Sequence, residues 1–334
     1  MTRLLVTGGA GFIGSNFVHF WGERHPEDRM VVLDLLTYAG NRKNLLDMEG
    51  RYRFVHGDIG DITMMEQLLR DEKIDVVVNF AAESHNSLAV VDPSRFFLTN
   101  VLGTQTLLEA ARRVGMARFH HVSTCEVYGD LALDSDTCFT EESPYRPRTP
   151  YNASKASADH AVRAYFETFR IPVTISICCN NYGPFQFPEK IIPLFTTLAL
   201  DNQPLPLYAS TANRREWIHV LDHCAAVESI ITHGRVGETY NVGTGTEKCV
   251  MEIADTILDA LGKPHSLKTI VHDRPGHDRR YLLCSDKIRE ELHWKPNIAF
   301  SVGIAGTIDW YVDHRSWWKP LRDRTLVTES EWKP

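Results

Sequence analysis

The fold of this chain can be inferred from one segment, Leu4-Leu5-Val6-Thr7-Gly8-Gly9-Ala10-Gly11-Phe12-Ile13-Gly14. Its apolar start predicts a buried strand, and the glycine-rich turn that follows leads into a helix. Glycines at positions 8, 11 and 14 allow a tight turn through which the backbone approaches a pyrophosphate. The N-terminus of the helix then presents free N–H groups to that anion. The segment therefore predicts the phosphate-binding turn of a dinucleotide site.

Further apolar runs follow in the first half of the chain, at residues 31–33, 54–55, 76–80 and 119–122. They lack a clean polar alternation, which is typical of parallel strands that are covered on both faces. The segments between them are long enough for crossover helices. These patterns predict an α/β fold with a Rossmann-like, doubly wound parallel sheet and a smaller C-terminal α/β substrate lobe.

The composition is that of an ordinary globular protein. The chain has 334 residues, of which 43% are hydrophobic and 24% charged. Its net charge of -7 argues against binding to nucleic acid or to an anionic membrane surface. The N-terminus does not read as a signal peptide, and the apolar runs are too short to span a membrane. The seven scattered cysteines contain no CxxC pair, which favours a reducing cytoplasm and predicts no metal site.

A carboxylate is predicted to select the cofactor. Asp34 ends the second predicted strand, where it would accept the adenosine ribose hydroxyls and repel a 2′-phosphate. Asp58-Ile59 follows the third strand and is predicted to meet the adenine. Ala81-Ala82 follows the fourth strand and lets the backbone pass close to the cofactor. The predicted cofactor is NAD rather than NADP.

The predicted division of the chain follows the point at which this alternation stops. Residues 1–180, with a later segment that rejoins the sheet, are predicted to form the NAD-binding Rossmann domain. Prolines interrupt the chain beyond this point, so residues 181–320 are predicted to be mainly a substrate-binding lobe. Residues 321–334 are predicted to be a tail.

The segment Tyr151-Asn152-Ala153-Ser154-Lys155 places a phenol and an ammonium group on one face of a helix. A nearby cation is expected to lower the pKa of the phenol, so that Tyr151 takes a proton from a substrate hydroxyl while hydride leaves. Lys155 is also predicted to hold the nicotinamide ribose. The predicted strand that ends at Ser123-Thr124 lies upstream and supports this prediction.

Together with other segments, these motifs resemble one family along nearly the whole chain. The chain is similar to the nucleoside-diphosphate-sugar dehydratases of the extended short-chain dehydrogenase/reductase superfamily, and closest to the dTDP-glucose 4,6-dehydratases. The matching segments, besides the turn and Tyr151–Lys155, are residues 36–41, 81–85, 180–184, 187–190, 215–217 and 273–278.

The resemblance implies an NAD-dependent lyase with an internal redox cycle. Tyr151 and NAD would oxidise C4 of a nucleotide-linked hexose, and the ketone would acidify the C5 proton. A base would remove that proton and water would leave from C6. In the usual family reaction the hydride returns to C6, which gives a 4-keto-6-deoxy sugar. The resemblance also implies a homodimer that forms through helices of the cofactor domain.

Roles for individual residues follow from the motifs and from this resemblance. The predicted catalytic residues are Tyr151, Lys155, Glu126 as the base at C5, Thr124 as a donor to the C4 oxygen, and Cys125. The predicted cofactor-binding residues are Gly8, Gly11, Phe12, Ile13, Gly14, Asp34, Asp58, Ile59, Ala81, Ala82, Thr99, Tyr151, Lys155 and Asn181. The predicted substrate-binding residues are His85, Thr124, Asn180, Lys190, Leu207, Tyr208, Arg215, Val250, Arg274 and His277, with Arg215, Arg274 and His277 suited to a diphosphate and its ribose.

The chain departs from the family pattern at three places. Thr124-Cys125-Glu126 replaces Thr-Asp-Glu, so a thiol, which is a weaker acid, stands where the family has its general acid. His-Val-Asp-Arg-Ser is replaced by His85-Asn86-Ser87-Leu88-Ala89. Val250 replaces an asparagine that contacts the nucleotide, and Ala209-Ser210 replaces a glycine-led turn beside the base.

These departures leave several alternatives open. One is a diverged 5,6-dehydratase that leaves an exocyclic 5,6-ene on a sugar nucleotide or nucleoside in antibiotic biosynthesis. Others are a C4 epimerase, which does not need Glu126, and a non-catalytic homologue that binds NAD. Cys125 is either an acid or an inert filler of the pocket. The base, the presence of a diphosphate and the fate of the alkene also stay open.

Overall fold

A computed structural model of the protein describes residues 1–273 and 275–322. The strands are β1 (Arg3–Thr7), β2 (Arg29–Asp34), β3 (Tyr52–His56), β4 (Val76–Asn79), β5 (Arg118–Thr124), β6 (Val173–Cys178), β7 (Asn180–Tyr182), β8 (Leu205–Tyr208), β9 (Arg214–His219), β10 (Thr239–Val242), β11 (Glu247–Cys249), β12 (Lys268–Val271) and β13 (Arg280–Tyr281). The helices are α1 (Phe12–Arg24), α2 (Ile62–Asp71), α3 (Asn86–Val91), α4 (Pro93–Phe96), α5 (Thr104–Val114), α6 (Pro150–Phe169), α7 (Ile191–Leu200), α8 (Val220–His233), α9 (Val250–Ala260), α10 (Asp286–Leu292), α11 (Phe300–Asp313) and α12 (Arg315–Trp318).

The central sheet has seven strands in the order β10-β6-β5-β4-β1-β2-β3. Every neighbouring pair in it is parallel. The order reverses between β1 and β4, which opens a crevice at the carboxyl ends of these strands. The predicted fold class, a doubly wound Rossmann-like sheet, is confirmed. The edge strand β10 comes from the C-terminal half of the chain.

Both faces of the sheet are covered, which explains the unbroken apolar runs in its strands. Leu4 and Val6 of β1 pack on one face with α1 and α8, whereas Leu5 packs on the other face with α2 and α5. Local signals set where these helices begin. The side chain of Asp61 caps α2 by accepting a hydrogen bond of 3.0 Å from the Met64 amide.

The smaller lobe is built around a second core between α7, α9 and α11. Strand β9 is its central element, because it pairs with β7, β11 and β13. Strands β8 and β12 form a separate parallel pair. Since β7 follows directly after β6, the lobe is joined to the carboxyl edge of the central sheet.

A continuous helical run leads from α4 through a π-helical segment, Phe97–Gly103, into α5. It packs against α6, which carries the predicted tyrosine–lysine pair. Within the described ranges, every helix falls short of the length and apolarity that a membrane crossing requires. The predicted tail begins at Leu321, which is itself buried; residues 323–334 lie outside the described residues.

Candidate active site

A cavity of about 690 Å³ lies between the carboxyl edge of the central sheet and the smaller lobe. Its wall combines the turn after β1 with the ends of β2, β4 and β5 and with the first turns of α6. The smaller lobe closes the other side with residues of β8, β9 and α9. The cavity is therefore placed where a parallel α/β sheet binds its ligands.

The turn between β1 and α1 requires glycine at two positions, Gly8 and Gly14. Gly8 has a φ of +64°, and a Cβ atom there would lie 2.7 Å from the backbone nitrogen of Ala81. A Cβ atom at Gly14 would collide with the carbonyl oxygen of Gly8. Helix α1 begins at Phe12 and directs its first N–H groups towards the cavity wall. This arrangement fits the pyrophosphate of a dinucleotide.

The carboxylate at the end of β2 is held rigidly. Asp34 accepts hydrogen bonds from the amides of Ala10 at 2.9 Å and Leu36 at 2.7 Å. Burial raises the pKa of Asp34, and these backbone hydrogen bonds lower it. Each carboxylate oxygen keeps a second lone pair that can accept a ribose hydroxyl. The donor and acceptor set of the turn and of Asp34 therefore fits NAD.

Tyr151 and Lys155 lie on the buried face of α6, whose first turn is capped by the side chain of Thr149. The Lys155 ammonium donates a hydrogen bond of 2.7 Å to the carbonyl of Val122. Burial raises the pKa of Tyr151 well above its usual range, and the negative charge of Glu126 raises it further. The prediction that Lys155 lowers this pKa is wrong for this arrangement, since Lys155 is directed at the backbone of β5.

The charge of Lys155 is balanced within the protein. Asp159, one turn further along α6, is fully buried and is the main group that opposes the fall in the pKa of Lys155 on burial. Ser123 and Tyr145 donate hydrogen bonds of 2.7 and 2.9 Å to Asp159. A buried carboxylate with these donors stays ionised and keeps the neighbouring ammonium charged.

The residues that follow β5 alternate between the cavity and the core. Thr124 and Glu126 line the cavity. Cys125 and Val127 are fully buried in the hydrophobic core. Burial raises the pKa of the Cys125 thiol well above its usual range, and Glu126 adds to this effect. Cys125 therefore lies behind the cavity wall rather than on it, so the predicted catalytic role for it finds no support in the geometry.

Basic side chains line the part of the cavity that the smaller lobe forms. Lys190 donates a hydrogen bond of 2.7 Å to the carbonyl of Ser84, and Arg215 donates one of 2.5 Å to the carbonyl of Asp278. His277 lies 3.4 Å from the hydroxyl of Ser210, measured from Nδ1. Lys190, Arg215 and His277 line one cavity although they are far apart in the sequence. They can meet the negative charge of a diphosphate.

Strand alternation separates the two residues predicted on β8. Pro206 and Tyr208 line the cavity, whereas Leu205 and Leu207 are fully buried in the core of the smaller lobe. Successive side chains of a strand point to opposite faces, so the side chains of Leu207 and Tyr208 cannot both face one ligand. Of the pair, Tyr208 is the residue placed for binding.

The cavity brings together most of the predicted site residues. Among the described residues, those that line it are Gly8, Gly11, Phe12, Ile13, Gly14, Asp34, Asp58, Ile59, Ala81, Ala82, His85, Thr99, Thr124, Glu126, Tyr151, Lys155, Asn180, Asn181, Lys190, Tyr208, Arg215, Val250 and His277. Cys125 and Leu207 do not line it, and Arg274 lies outside the described residues.

Several polar residues of the cavity wall were not predicted, among them Asn86, Glu189 and Asp278. Asn86 donates hydrogen bonds to the Glu126 carboxylate. Burial raises the pKa of Glu189 to about 7, although Lys190 and the hydroxyl of Tyr38 lower it. Burial likewise raises the pKa of Asp278 to about 7, and Glu126 contributes. The sequence signal for Glu189 and Asp278 was their position inside matched motifs, next to Lys190 and His277.

The chain resembles known proteins along nearly its whole length. The family model described as GDP-mannose 4,6 dehydratase matches residues 5–307. The dTDP-glucose 4,6-dehydratase of Mycobacterium tuberculosis (strain CDC 1551 / Oshkosh) is 48% identical over 330 residues, which cover 98% of this chain and 99% of the relative. The dTDP-glucose 4,6-dehydratase of Streptomyces niveus is 45% identical, with 98% of both chains covered.

Solved structures show the same likeness. The crystal structure of DesIV, a dTDP-glucose 4,6-dehydratase from Streptomyces venezuelae with NAD and TYD bound, is 49% identical and superposes with a TM-score of 0.92. The match covers 96% of this chain and 100% of DesIV. A UDP-glucose 4-epimerase of Thermus thermophilus in complex with NAD is 30% identical, with a TM-score of 0.86 over 94% of this chain and 100% of that chain.

Proposed function

Because the chain belongs to the GDP-mannose 4,6 dehydratase family, we propose that it is an NAD-dependent hydro-lyase that dehydrates a nucleotide-linked hexose. One observation carries this function: Tyr151, Thr124 and Glu126 line a single cavity together with the glycine-rich turn. A C4 epimerase on the same scaffold needs the tyrosine but not a carboxylate base beside it. Glu126 therefore favours dehydration.

NAD is the cofactor, held by the turn at Gly8–Gly14 and by Asp34. When bound, it accepts hydride from the sugar and gives it back within one cycle. The chain's own residues handle the protons. Tyr151 takes the proton of the C4 hydroxyl, and Lys155 holds the nicotinamide ribose.

The elimination depends on the transient ketone at C4. A ketone makes the hydrogen on the adjacent carbon acidic, so the Glu126 carboxylate can remove the C5 proton. The hydroxyl of Thr124 donates a hydrogen bond to the C4 oxygen, where negative charge develops. The electron pair left at C5 then forms the C5–C6 double bond as the bond from C6 to its oxygen breaks, and the hydroxyl leaves as water with the proton that Glu126 removed from C5.

Lys190, Arg215 and His277 support a substrate with a diphosphate. The net charge of the chain is -7, so phosphate oxygens have to be met by local cations. The identity to dTDP-glucose 4,6-dehydratases supports a dTDP-hexose as the first substrate to test. Val250 lines the cavity where the family places an asparagine, and this change supports testing other bases as well.

A second product is favoured by the position of Cys125. Its thiol is buried behind the cavity wall, so the acid that the family places at this position is missing from the cavity. Saturating the alkene requires a hydride at C6 and a proton at C5, whereas reducing the ketone requires only Tyr151 and the cofactor. The alternative product is therefore an exocyclic 5,6-ene in which the C4 hydroxyl is restored.

The experiment is to incubate the enzyme with dTDP-glucose, UDP-glucose and UDP-N-acetylglucosamine in deuterated water and to analyse the products by mass and proton NMR. We expect loss of water, a new methyl doublet and deuterium at C5. Vinyl protons without a methyl signal would identify the exocyclic alkene. An isomer of unchanged mass without deuterium at C5 would identify an epimerase and overturn the proposal. The Glu126→Gln variant is the control, which should oxidise C4 but release no water.

The assembly and location are also proposals. A homodimer is supported by exposed apolar side chains on the helical run before α5: Phe97, Leu98 and Leu102. A cytoplasmic location is supported by the seven cysteines, which form no disulfide in the described part of the chain.

For the domains, we propose that residues 1–180, with β10 as the rejoining segment, bind NAD. Residues 181–320 would mainly bind the sugar nucleotide.

A further inference from the structure

The Glu126 carboxylate contacts a residue that the family pattern does not have. Nδ2 of Asn86 lies 3.4 Å from Oε1 and 3.2 Å from Oε2 of Glu126. Asn86 is the first residue of α3, and it lines the cavity. An ionised carboxylate only accepts hydrogen bonds, so the nitrogen of the amide and not its oxygen has to face Glu126.

The other end of this amide lacks a partner. Oδ1 of Asn86 is buried and accepts no hydrogen bond from residues 1–273 or 275–322. A buried acceptor that stays unsatisfied costs about 1–3 kcal/mol. Buried polar atoms of this kind are rare and call for an explanation. Because Asn86 lines the cavity, a hydroxyl group of a bound ligand can satisfy Oδ1.

We propose that Asn86 binds the C6 hydroxyl group of the hexose through Oδ1 while its Nδ2 holds the Glu126 carboxylate towards C5. The inference rests on the proposed function, since it assigns Glu126 to C5. It makes Asn86 a substrate-binding residue at the carbon that loses its oxygen, and a positioning residue for the base.

The choice of the C6 hydroxyl follows from the size of an amide group. The oxygen and nitrogen of one amide are about 2.2 Å apart, so the hydroxyl that binds Oδ1 lies beside the carboxylate that contacts Nδ2. That hydroxyl therefore belongs to a neighbour of C5. The ring oxygen carries no hydrogen, and the C4 oxygen loses its hydrogen on oxidation. The C6 hydroxyl is the donor that persists until elimination.

The test is a thermodynamic cycle in which the Asn86 side chain and the C6 hydroxyl of the substrate are removed singly and together. Dissociation constants for dTDP-glucose and dTDP-6-deoxyglucose are measured on holoenzyme that carries Tyr151→Phe, which slows turnover, with and without Asn86→Val. With Asn86 present, loss of the C6 hydroxyl should weaken binding about fivefold, as expected for one hydrogen bond. With Asn86→Val the two ligands should bind equally.

Two further variants keep the test decisive. Asn86→Asp keeps an acceptor but places a second carboxylate beside Glu126. In the Tyr151→Phe background it should keep the preference for the C6 hydroxyl, whereas with Tyr151 present kcat should fall and exchange of the C5 hydrogen should slow. Ser87→Ala, the next residue on the same cavity wall, should leave the preference unchanged. Thermal melting shows whether each variant is folded.

The outcomes separate the two proposals. A preference for the C6 hydroxyl that survives Asn86→Val overturns the role of Asn86. A wild-type enzyme that releases no water from any nucleotide hexose overturns the proposed function, whereas the binding cycle still reports on Asn86. A fivefold preference that disappears only with Asn86→Val supports the inference.

Discussion

Tyr151 is buried, and its phenol faces both Thr124 and the carboxylate of Glu126. Burial and that negative charge oppose ionisation of the phenol. A phenol that carries its own proton can accept the proton of the C4 hydroxyl only as it passes that proton on, so Tyr151 acts as the base from its phenolate form. At the level of single residues, the reaction depends on this one hydroxyl group.

We predict that Tyr151→Phe lowers kcat by about 10²–10⁴-fold, the usual contribution of a general acid–base group. The content of bound NAD should not change, because the turn and Asp34 are intact. Tyr240→Phe is the matched control, since its hydroxyl bonds to Glu291 at 3.0 Å and does not line the cavity. Steady-state rates and cofactor content provide the measurements. A rate for Tyr151→Phe that matches the rate for Tyr240→Phe would contradict the assigned role.

A second prediction concerns the carboxyl group of Glu189. Burial raises its pKa to about 7, whereas in the unfolded chain it is about 4.3. The folded protein therefore binds this proton more tightly. The stability that the proton provides is complete below about pH 4.3, declines as pH rises towards 7, and is lost above it.

Glu189→Gln removes this titration and should flatten the pH dependence of stability. Between about pH 5 and pH 7.5, the wild type should lose on the order of 3 kcal/mol more of its free energy of unfolding than the variant does. Denaturant unfolding at both pH values measures the difference. Parallel curves for the two proteins would show that Glu189 is not responsible.

At the level of elements, the site depends on the close approach of the β1–α1 turn to the end of β4. Gly8 makes this approach possible in two ways, through its positive φ and through the absence of a Cβ atom. The sequence motif predicted the turn correctly, because the glycine spacing and the strand–helix switch are local properties. It did not show that the neighbour at Gly8 is the backbone of Ala81.

We predict that Gly8→Ala abolishes tight NAD binding and lowers Tm, since its Cβ atom would press on backbone atoms that cannot move aside. Gly262→Ala isolates the effect of the backbone angle. Its φ of +61° is close to the +64° of Gly8, but no atom lies within 4 Å of its Cβ position. That control should cost only about 1–2 kcal/mol and keep NAD. Equal losses in both variants, by melting and NAD titration, would rule out the steric explanation.

At the level of the whole molecule, exposed apolar residues support the proposed homodimer. Leu98 and Leu102 are 60% and 54% exposed, and both lie on the π-helical segment before α5. Neighbouring exposed apolar side chains on one helical run form a patch of the kind that protein interfaces cover. This patch lies outside the catalytic cavity, since neither residue lines it.

If the proposed homodimer forms through this patch, Leu98→Asp should convert it into a monomer, because the substitution places a charge in an interface that excludes water. Val302→Asp is the control, since Val302 is 68% exposed but lies on α11, away from the patch. Sedimentation equilibrium measures the mass of both variants. A wild-type protein that is already monomeric would refute the homodimer.

The sequence by itself determined the sheet, the phosphate-binding turn and the tyrosine–lysine pair. Each depends on spacing within one strand, turn or helix, and the period of these elements is fixed by backbone geometry. The tertiary structure alone decided that Cys125 faces the core while Glu126 faces the cavity, and that Leu207 is buried while Tyr208 is not. It also decided that Asn86 meets Glu126. These relations depend on how separate elements pack against one another. The pKa of Glu189 is likewise set by the burial of its carboxyl group between elements and not by its residue type.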